Sequence, residues 1–285
     1  MPYRVRNLLF ALVLATVPLT IVAGTLDQIK KSGEIRIGYR TDAAPLAFKD
    51  DSGGPSGYAV DLCQRIATSV KDYLKLKDLK TTFVPLTSDD RLQAIVSDRA
   101  DIECGATTIT LARAEKVDFT LMTFVTGGGL LSLATSSIQG MADLAGKSVA
   151  VVSGTTTQAA LKSYLQKNLI DAKVVPVADR AAAMSQLQAK KVDAFASDQI
   201  VLIGEVVQAP DPRVYRLSRD LFSYEPYALV VRRNDADFRL VANRALAQLY
   251  RTGQIEQIYA HWFGQVGLRP SPVLSAMYVL ESLPE

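Results

Sequence analysis

The stretch that decides the fold is SVAVVSGTTTQAAL, residues 148–161. Its first five residues are of the buried-strand type, and a glycine followed by three threonines then forms a turn. The next residues, 158–166, predict a helix. A short strand, a turn and a helix in succession are the repeating unit of an α/β sheet.

The same alternation runs through the rest of the chain. The predicted strands are residues 35–38, 81–86, 100–104, 173–177, 192–196 and 228–231. The predicted helices are residues 58–70, 91–97, 181–189 and a long stretch at 237–263, which Gly253 divides in two. Leu240 and Leu249 belong to the apolar series of that stretch, which we expect to pack on a sheet. We therefore expect an α/β fold.

Two segments of the chain echo each other. With Asp101 aligned to Asp193, QAIVSDRADIECG (93–105) lies over SQLQAKKVDAFAS (185–197). Each predicts a helix, a polar turn and an apolar strand that follows an aspartate. The echo suggests two lobes of one architecture, although any α/β protein can produce such look-alikes. The length of 285 residues also favours two domains, at about 150 residues each.

Residues 1–23 predict a secretory signal peptide, because basic Arg4 and Arg6 precede an apolar run that ends near Ala23. The alternative is a membrane anchor, but Pro18 interrupts the run, which is shorter than a spanning helix needs. We therefore expect cleavage and a periplasmic location. Loss of the two arginines lowers the net charge from +3 to +1. A positive charge this small is not typical of a protein that binds nucleic acid.

The composition offers little for cofactor or metal chemistry. One histidine and two cysteines are too few for an all-His/Cys zinc site. Neither GxxxxGK[ST] nor GxGxxG occurs, and we interpret Gly127, Gly128 and Gly129 as a flexible connector between the halves. His261 is expected to pack or to face solvent. We predict no cofactor and no metal.

The two cysteines leave two possibilities open. An exported protein meets an oxidising compartment, in which unpaired thiols are unusual. Cys63 and Cys104 could form a disulfide or could remain two buried, inert thiols.

Two loops carry hydroxyl groups between a strand and a helix. The first is GATTIT at 105–110, which leads to Arg113, and the second is SGTTT at 153–157. This arrangement exposes backbone N–H groups at the positive end of a helix, which suits a carboxylate or a phosphate. Ordinary capping of the helix by serine or threonine is the alternative.

The chain resembles the polar amino-acid-binding proteins of ABC importers, the periplasmic solute-binding proteins of type 3. The segments that carry the resemblance are GYAVDLCQRIA (57–67), GATTITLARAEKVDFT (105–120), SGTTTQAAL (153–161) and VDAFASDQ (192–199). The combination most similar to the glutamate/aspartate-binding group is GYR (38–40), TSDDR (87–91), ECGATT (103–108) and SGTT (153–156).

The resemblance implies two α/β lobes joined by two crossing strands, with a ligand buried in the cleft between them. One lobe would comprise residues 25–124 and 227–264, and the other residues 125–226. Residues 265–285 form a C-terminal tail to which the sequence assigns no role.

The resemblance also implies roles at the amino-acid end of the ligand. Arg113 would take the α-carboxylate, because a bidentate guanidinium–carboxylate pair is strong in a dry cleft. Thr108 and Thr155 would donate hydroxyl groups beside it, one from each lobe. Asp198 would accept from the α-ammonium group.

At the side-chain end, the resemblance implies that Arg40, Ser88 and Arg91 hold a second carboxylate. Arg40, Arg91 and Arg113 together with Asp198 give this site a net charge of +2. A neutral ligand side chain would therefore leave an arginine without a compensating charge. Ala106 stands where the group usually has a serine. Arg180 stands where a histidine is expected, and it could bind the ligand or face solvent.

We therefore expect a non-catalytic, monomeric protein that delivers glutamate or aspartate to a membrane permease of an ABC importer. One alternative is a dehydratase-like enzyme on the same scaffold, with Asp198 as a general acid. Another is a ligand-sensing subunit that docks on a membrane receptor, because its binding residues would be the same.

Overall fold

The computed structural model describes residues 24–285, so the expected signal peptide lies outside the described residues. The helices are α1 Thr25–Ser32, α2 Tyr58–Tyr73, α3 Arg91–Val96, α4 Leu111–Ala114, α5 Thr156–Lys167, α6 Arg180–Gln188, α7 Gln199–Gln208, α8 Ala236–Arg251, α9 Gln254–Phe263 and α10 Pro272–Leu280. The strands are β1 Glu34–Arg40, β2 Asp42–Ala43, β3 Ala47–Lys49, β4 Pro55–Ser56, β5 Lys80–Leu86, β6 Ile102–Cys104, β7 Val117–Thr126, β8 Gly128–Leu133, β9 Ser148–Val152, β10 Lys173–Val177, β11 Ala194–Asp198, β12 Tyr215–Leu217 and β13 Glu225–Arg232.

Two five-stranded sheets organise the chain into two lobes. Lobe 1 has the strand order β5-β1-β6-β13-β7, and lobe 2 has the order β10-β9-β11-β8-β12. In both sheets the first three strands are parallel and the fourth is antiparallel to its neighbours. The small antiparallel sheet β2-β3-β4 is inserted in lobe 1. The predicted two-lobed α/β fold is confirmed.

The internal echo corresponds to a repeated topology. The sequence β1-α2-β5-α3-β6 in lobe 1 matches β9-α5-β10-α6-β11 in lobe 2. The two aligned aspartates also have the same structural role, because each carboxylate accepts a hydrogen bond from a backbone N–H group in the first strand of its lobe. The distances are 2.7 Å from Asp101 to Arg36 N and 2.7 Å from Asp193 to Ser148 N. Each aspartate thereby fastens the third strand of its lobe to the first.

Two paired segments carry the chain between the lobes. Strand β7 belongs to lobe 1 and leads through Gly127 into β8 of lobe 2. The chain returns through β13, whose first residue, Glu225, pairs with Thr126 of β7. The predicted lobe boundaries, at residues 124/125 and 226/227, therefore fall within strands that extend towards the other lobe.

The glycines at this crossing are needed for close packing. A Cβ atom at Gly127 would clash with the carbonyl oxygen of Ser223, and one at Gly128 would lie 2.6 Å from the ring of Phe222. Gly128 and Gly129 are also part of the paired strand β8. These glycines lie at the connection between the lobes, and the close approach of the two crossing segments leaves no room for a side chain at Gly127 or Gly128. The flexibility of this connector stays a prediction.

Gly253 separates α8 from α9 as predicted, and its φ of +70° is a left-handed conformation that favours glycine.

The predicted apolar series on α8 is only partly confirmed. Leu249 is buried, but the side chain of Leu240 is 49% exposed. The buried face of α8 passes instead through Phe238 and Val241 on neighbouring turns.

A disulfide joins Cys63 on α2 to Cys104 at the end of β6, with the two Cα atoms 6.3 Å apart. Both residues are fully buried in the core of lobe 1. The bridge fixes the strand end from which the first hydroxyl loop, 105–110, departs.

The C-terminal tail packs onto lobe 1. Helix α10 lies against β7 and α8, and its residues Leu274, Met277 and Tyr278 join the core of that lobe. The hydroxyl groups of Tyr278 and Tyr58 are 2.8 Å apart. Within the described part of the chain, no helix combines the length and apolar character that crossing a bilayer requires.

We predict that Leu274→Ala destabilises the protein by about 2–5 kcal/mol, because the side chain is 1% exposed and its loss leaves a cavity. The matched control on the same helix is Val279→Ala, whose side chain is 74% exposed, with an expected change within about 0.5 kcal/mol. Urea unfolding measures both. Equal stabilities of the two variants would show that the tail does not contribute to the core.

Candidate functional site

A cavity lies in the cleft, and both lobes line it. The lining from lobe 1 consists of Arg40, Arg91, Ala106 and Thr108. The lining from lobe 2 consists of Val152, Thr155, Thr156, Thr157, Arg180, Ala196, Ser197 and Asp198. Six of the eight predicted ligand-binding residues are in these two sets, and Ser88 and Arg113 are not.

The loop at 105–110 leaves the end of β6 and directs the polar groups of lobe 1. Thr107 is fully buried, and its hydroxyl accepts from the Nε of Arg91 at 2.9 Å. Arg91 also donates through Nη1 to the backbone carbonyl of Ser88. Ser88 therefore supports Arg91 through its main chain and does not line the cavity, which differs from its expected place beside the ligand.

Arg113 lies next to the cavity lining. Helix α4 starts at Leu111, and the hydroxyl of Thr110 caps it by accepting from the backbone N–H of Arg113 at 3.1 Å. The Nη1 of Arg113 donates to the carbonyl of Thr108 at 2.7 Å. Burial lowers the pKa of Arg113, and the carboxyl groups of Glu103 and Glu225 oppose this shift.

The loop at 153–157 contributes hydroxyls from lobe 2. Thr155 caps α5, because its hydroxyl accepts from Gln158 N and donates to the carbonyl of Val152 at 2.8 Å. The hydroxyls of Thr156 and Thr157 point instead to carboxylates in the cleft. The end of the helix therefore engages the hydroxyl of Thr155, although Thr155 is part of the cavity lining. Its role as a donor to the ligand stays a prediction.

Asp198 ends β11 and is 7% exposed. Its Oδ1 accepts from the hydroxyl of Thr157 at 2.5 Å, and its Oδ2 accepts from the hydroxyl of Tyr227 on β13. Burial, followed by the charge of Asp198, raises the pKa of Tyr227 well above its ordinary value. Tyr227 therefore remains a hydrogen-bond donor to this carboxylate.

Glu225 is a site residue that the sequence analysis missed. It is 2% exposed, and its Oε2 accepts from Thr108 of lobe 1 at 2.7 Å and from Thr156 of lobe 2 at 2.8 Å. Its Oε1 accepts from Ser223 at 2.8 Å. Burial, and then the neighbouring charge of Asp198, raises the pKa of Glu225. A glutamate placed directly before an apolar strand at the expected crossing was the available signal.

Glu103 is a second missed carboxyl, and it is fully buried at the base of the site. Its carboxyl and the side chain of Arg40 both crowd Gly105, where a Cβ atom would clash with them. Burial raises the pKa of Glu103, and the nearby guanidinium of Arg91 acts against this shift. The charge of +2 that we predicted for the site therefore leaves out the buried carboxyl group of Glu103.

Arg180 is 6% exposed and faces the cleft, so its solvent-facing alternative is wrong. Its Nη1 lies 3.0 Å from Oδ1 of Asp42 and donates to the carbonyl of the same residue at 2.9 Å. The same Oδ1 accepts from Nη2 of Arg40 at 2.5 Å. One carboxylate thus bridges an arginine of each lobe.

Burial has opposite consequences for the partners in this bridge. Burial, and then repulsion from Arg180, lowers the pKa of Arg40 to about 10. Burial alone would raise the pKa of Asp42, but the guanidinium groups of Arg180 and Arg40 outweigh it, so this pKa is lowered. Asp42 is therefore ionised at neutral pH.

Residues 24–285 contain no group of three or more His, Cys, Asp or Glu side chains that could hold a metal ion. His261 is exposed on α9, and its ring meets that of Trp262 edge to face, with the centroids 4.9 Å apart. It is not part of the cavity lining, and its exposure agrees with the expectation that it packs or faces solvent.

A family model for bacterial extracellular solute-binding proteins, family 3, matches residues 35–265. A similar relative is the L-glutamate/L-aspartate-binding protein of Pseudomonas aeruginosa, 33% identical over 256 residues that cover 90% of this chain and 85% of the relative. Another is the glutamate/aspartate import solute-binding protein of Salmonella typhimurium, 30% identical, with coverages of 84% and 79%.

Solved structures of amino-acid-binding proteins have the same architecture. A mutant of the arginine-binding protein ArgBP from T. maritima is similar with a TM-score of 0.73 and 27% identity, covering 84% of this chain and 99% of that one. The ancestral amino-acid-binding protein AncCDT-1, a precursor of cyclohexadienyl dehydratase, gives a TM-score of 0.72 and 28% identity, with coverages of 85% and 100%.

The bridge through Asp42 predicts a pH-dependent contribution to stability. Because its pKa is lowered in the folded state, wild type should be more stable than Asp42→Asn at neutral pH. This advantage is fully present above the ordinary aspartate pKa of about 3.9 and is lost as the pH falls through the lower folded-state value.

Urea unfolding of the ligand-free proteins at about pH 7 and about pH 3 measures this difference. The control is Asp51→Asn, because Asp51 is exposed on a loop of lobe 1. A stability difference between wild type and Asp42→Asn that does not change with pH would contradict the ionic bridge.

Proposed function

Because this chain belongs to the bacterial extracellular solute-binding proteins of family 3, we propose that it binds glutamate or aspartate in the cleft between its lobes. The closed, ligand-bound protein would then deliver the amino acid to the permease of an ABC importer in the periplasm. The observation that carries this proposal is the convergence of arginines, hydroxyls and carboxylates from both lobes on one cavity.

The amino-acid end of the ligand would lie between Arg113 and Asp198. Arg113 would pair with the α-carboxylate, and the hydroxyl groups of Thr108 and Thr156 would lie beside it, one from each lobe. Asp198 would accept from the α-ammonium group. The hydrogen bonds to its carboxylate come from two hydroxyl groups, so the ammonium group would give it a cationic partner. Each of these contacts strengthens in the dry environment of a closed cleft.

The side-chain end would lie against Arg40, Arg91 and Arg180. All three are at least 94% buried, and each of them lines the cavity. A second carboxylate on the ligand would compensate this concentration of positive charge, whereas a cationic side chain would be repelled. The names of the two relatives described above agree with an acidic ligand.

Ligand binding would favour the closed arrangement by a shift in population. Only the closed arrangement brings groups of both lobes to one ligand, so the ligand has a differential affinity for it. The lobes would rotate about the crossing segments at Gly127 and residues 223–225. We expect a monomer to suffice, because one chain supplies both walls of the cavity.

Isothermal titration against a panel of amino acids tests the proposal. We expect binding of glutamate or aspartate, and weaker binding of arginine and lysine. Absence of binding to both acids would contradict the proposed ligand, and tight binding of a basic amino acid would replace it.

We predict that Arg113→Gln weakens binding of every amino acid in the panel by at least about 30-fold, because the α-carboxylate is common to all of them. The matched control is Arg65→Gln on α2, because that side chain is 50% exposed and distant from the cavity lining. A loss confined to acidic ligands would mean that Arg113 serves the side chain of the ligand.

We predict that Asp198→Asn weakens binding of glutamate by about 10- to 100-fold, because a charged hydrogen bond to the ammonium group is lost. Binding of 2-oxoglutarate, which lacks the ammonium group, should not weaken. Titration of both ligands measures the ratio. An equal loss for both would show that Asp198 supports the cleft without contacting the ammonium group.

A further inference from the structure

Three charged residues form what we call the arginine bridge: Arg40, Asp42 and Arg180. Arg40 ends β1 and Asp42 begins β2, so both belong to lobe 1, whereas Arg180 begins α6 in lobe 2. The side chain of Asp42 is 34% exposed, and those of Arg40 and Arg180 are 2% and 8% exposed. Asp42 therefore approaches the two guanidinium groups from the solvent side.

The bridge removes an electrostatic obstacle to closure. When the lobes meet, Arg40 and Arg180 approach each other in a buried place, and like charges there are unfavourable. The lowered pKa of Arg40 reports this repulsion together with burial. A carboxylate between the two groups compensates the repulsion, and Asp42 supplies it within hydrogen-bond distance of both.

The guanidinium groups still have donors to offer. The Nε of Arg40 and the Nε of Arg180 are buried and have no hydrogen-bond partner among residues 24–285. Both residues line the cavity, whereas Asp42 is not part of the lining. A guanidinium can serve carboxylates on two edges because it carries five N–H donors in a plane.

We propose that Asp42 is a specificity-determining residue, a resident carboxylate that shares Arg40 and Arg180 with the side-chain carboxylate of the ligand. This inference rests on the proposed binding of an acidic amino acid. Its consequence is that Asp42 reduces the preference of the protein for acidic amino acids over their amides.

The physical reason is repulsion between two anions on the same pair of cations. With Asp42 ionised, the carboxylate of glutamate gains the attraction of Arg40 and Arg180 but meets a negative charge already beside them. The amide of glutamine meets a pair that Asp42 has already compensated, so the cleft can close around it. Without that charge, closure would depend on an anion that only the acidic ligand brings.

Two variants with opposite expected effects test the proposal. The measured quantity is the ratio of the Kd of glutamine to that of glutamate, and likewise of asparagine to aspartate, by isothermal titration. Asp42→Asn should raise this ratio by about tenfold, and Arg180→Gln should lower it by about tenfold. Asp51→Asn, on the exposed loop of lobe 1, should leave the ratio within about twofold of wild type.

An unchanged ratio in Asp42→Asn would overturn the proposal, as would an equal loss of affinity for acids and amides. The same would follow if both variants moved the ratio in one direction, because a general disturbance of the cleft has no reason to act oppositely in the two. Asp42→Ser provides a second neutral variant if Asp42→Asn does not fold by circular dichroism. Failure of wild type to bind acids or amides would instead overturn the proposed function.

Discussion

Buried positive charge is the constraint on which the site depends. Arg40, Arg91 and Arg180 are almost completely buried in one cleft, and an unpaired charge in such a place is costly. Four carboxyl groups lie in and around the cleft, those of Asp42, Glu103, Asp198 and Glu225. Asp42 pairs with Arg40 of lobe 1 and Arg180 of lobe 2, and Asp198 and Glu225 each accept hydrogen bonds from hydroxyl groups of both lobes. The same need for charge compensation would make an anionic ligand suitable.

The lobes share one topology but supply different chemistry. In each lobe an aspartate at the start of the third strand fastens it to the first strand, at Asp101 and at Asp193. The loops beyond these common frameworks differ, so that lobe 1 directs most of the arginines and lobe 2 directs threonines and Asp198. A repeated scaffold therefore provides rigid positions for both walls of the cavity, and the loops give each wall its own set of polar groups.

Glu225 connects the site to the crossing between the lobes. It lies where β13 leaves the crossing, and its carboxylate accepts hydroxyls from Thr108 and Thr156 on opposite walls. The lobe rotation that we propose would therefore change the same hydrogen bonds that line the cavity. Glycine at positions 127 and 128 lets the two crossing segments pack closely, so that the crossing is compact.

The sequence by itself determined the alternation of strands and helices, because apolar periodicity and turn residues act within a few positions of each other. The strand–turn–helix pattern also indicated both hydroxyl loops, and the resemblance to a known family indicated Arg40, Arg91, Thr108 and Asp198. Only the tertiary structure decided which hydroxyls the helix caps use, as at Thr155, and which carboxyls meet the arginines. Asp42 and Arg180 are 138 positions apart, and such a pair has no local pattern, because it is the folding of two lobes around a cleft that brings their charges together.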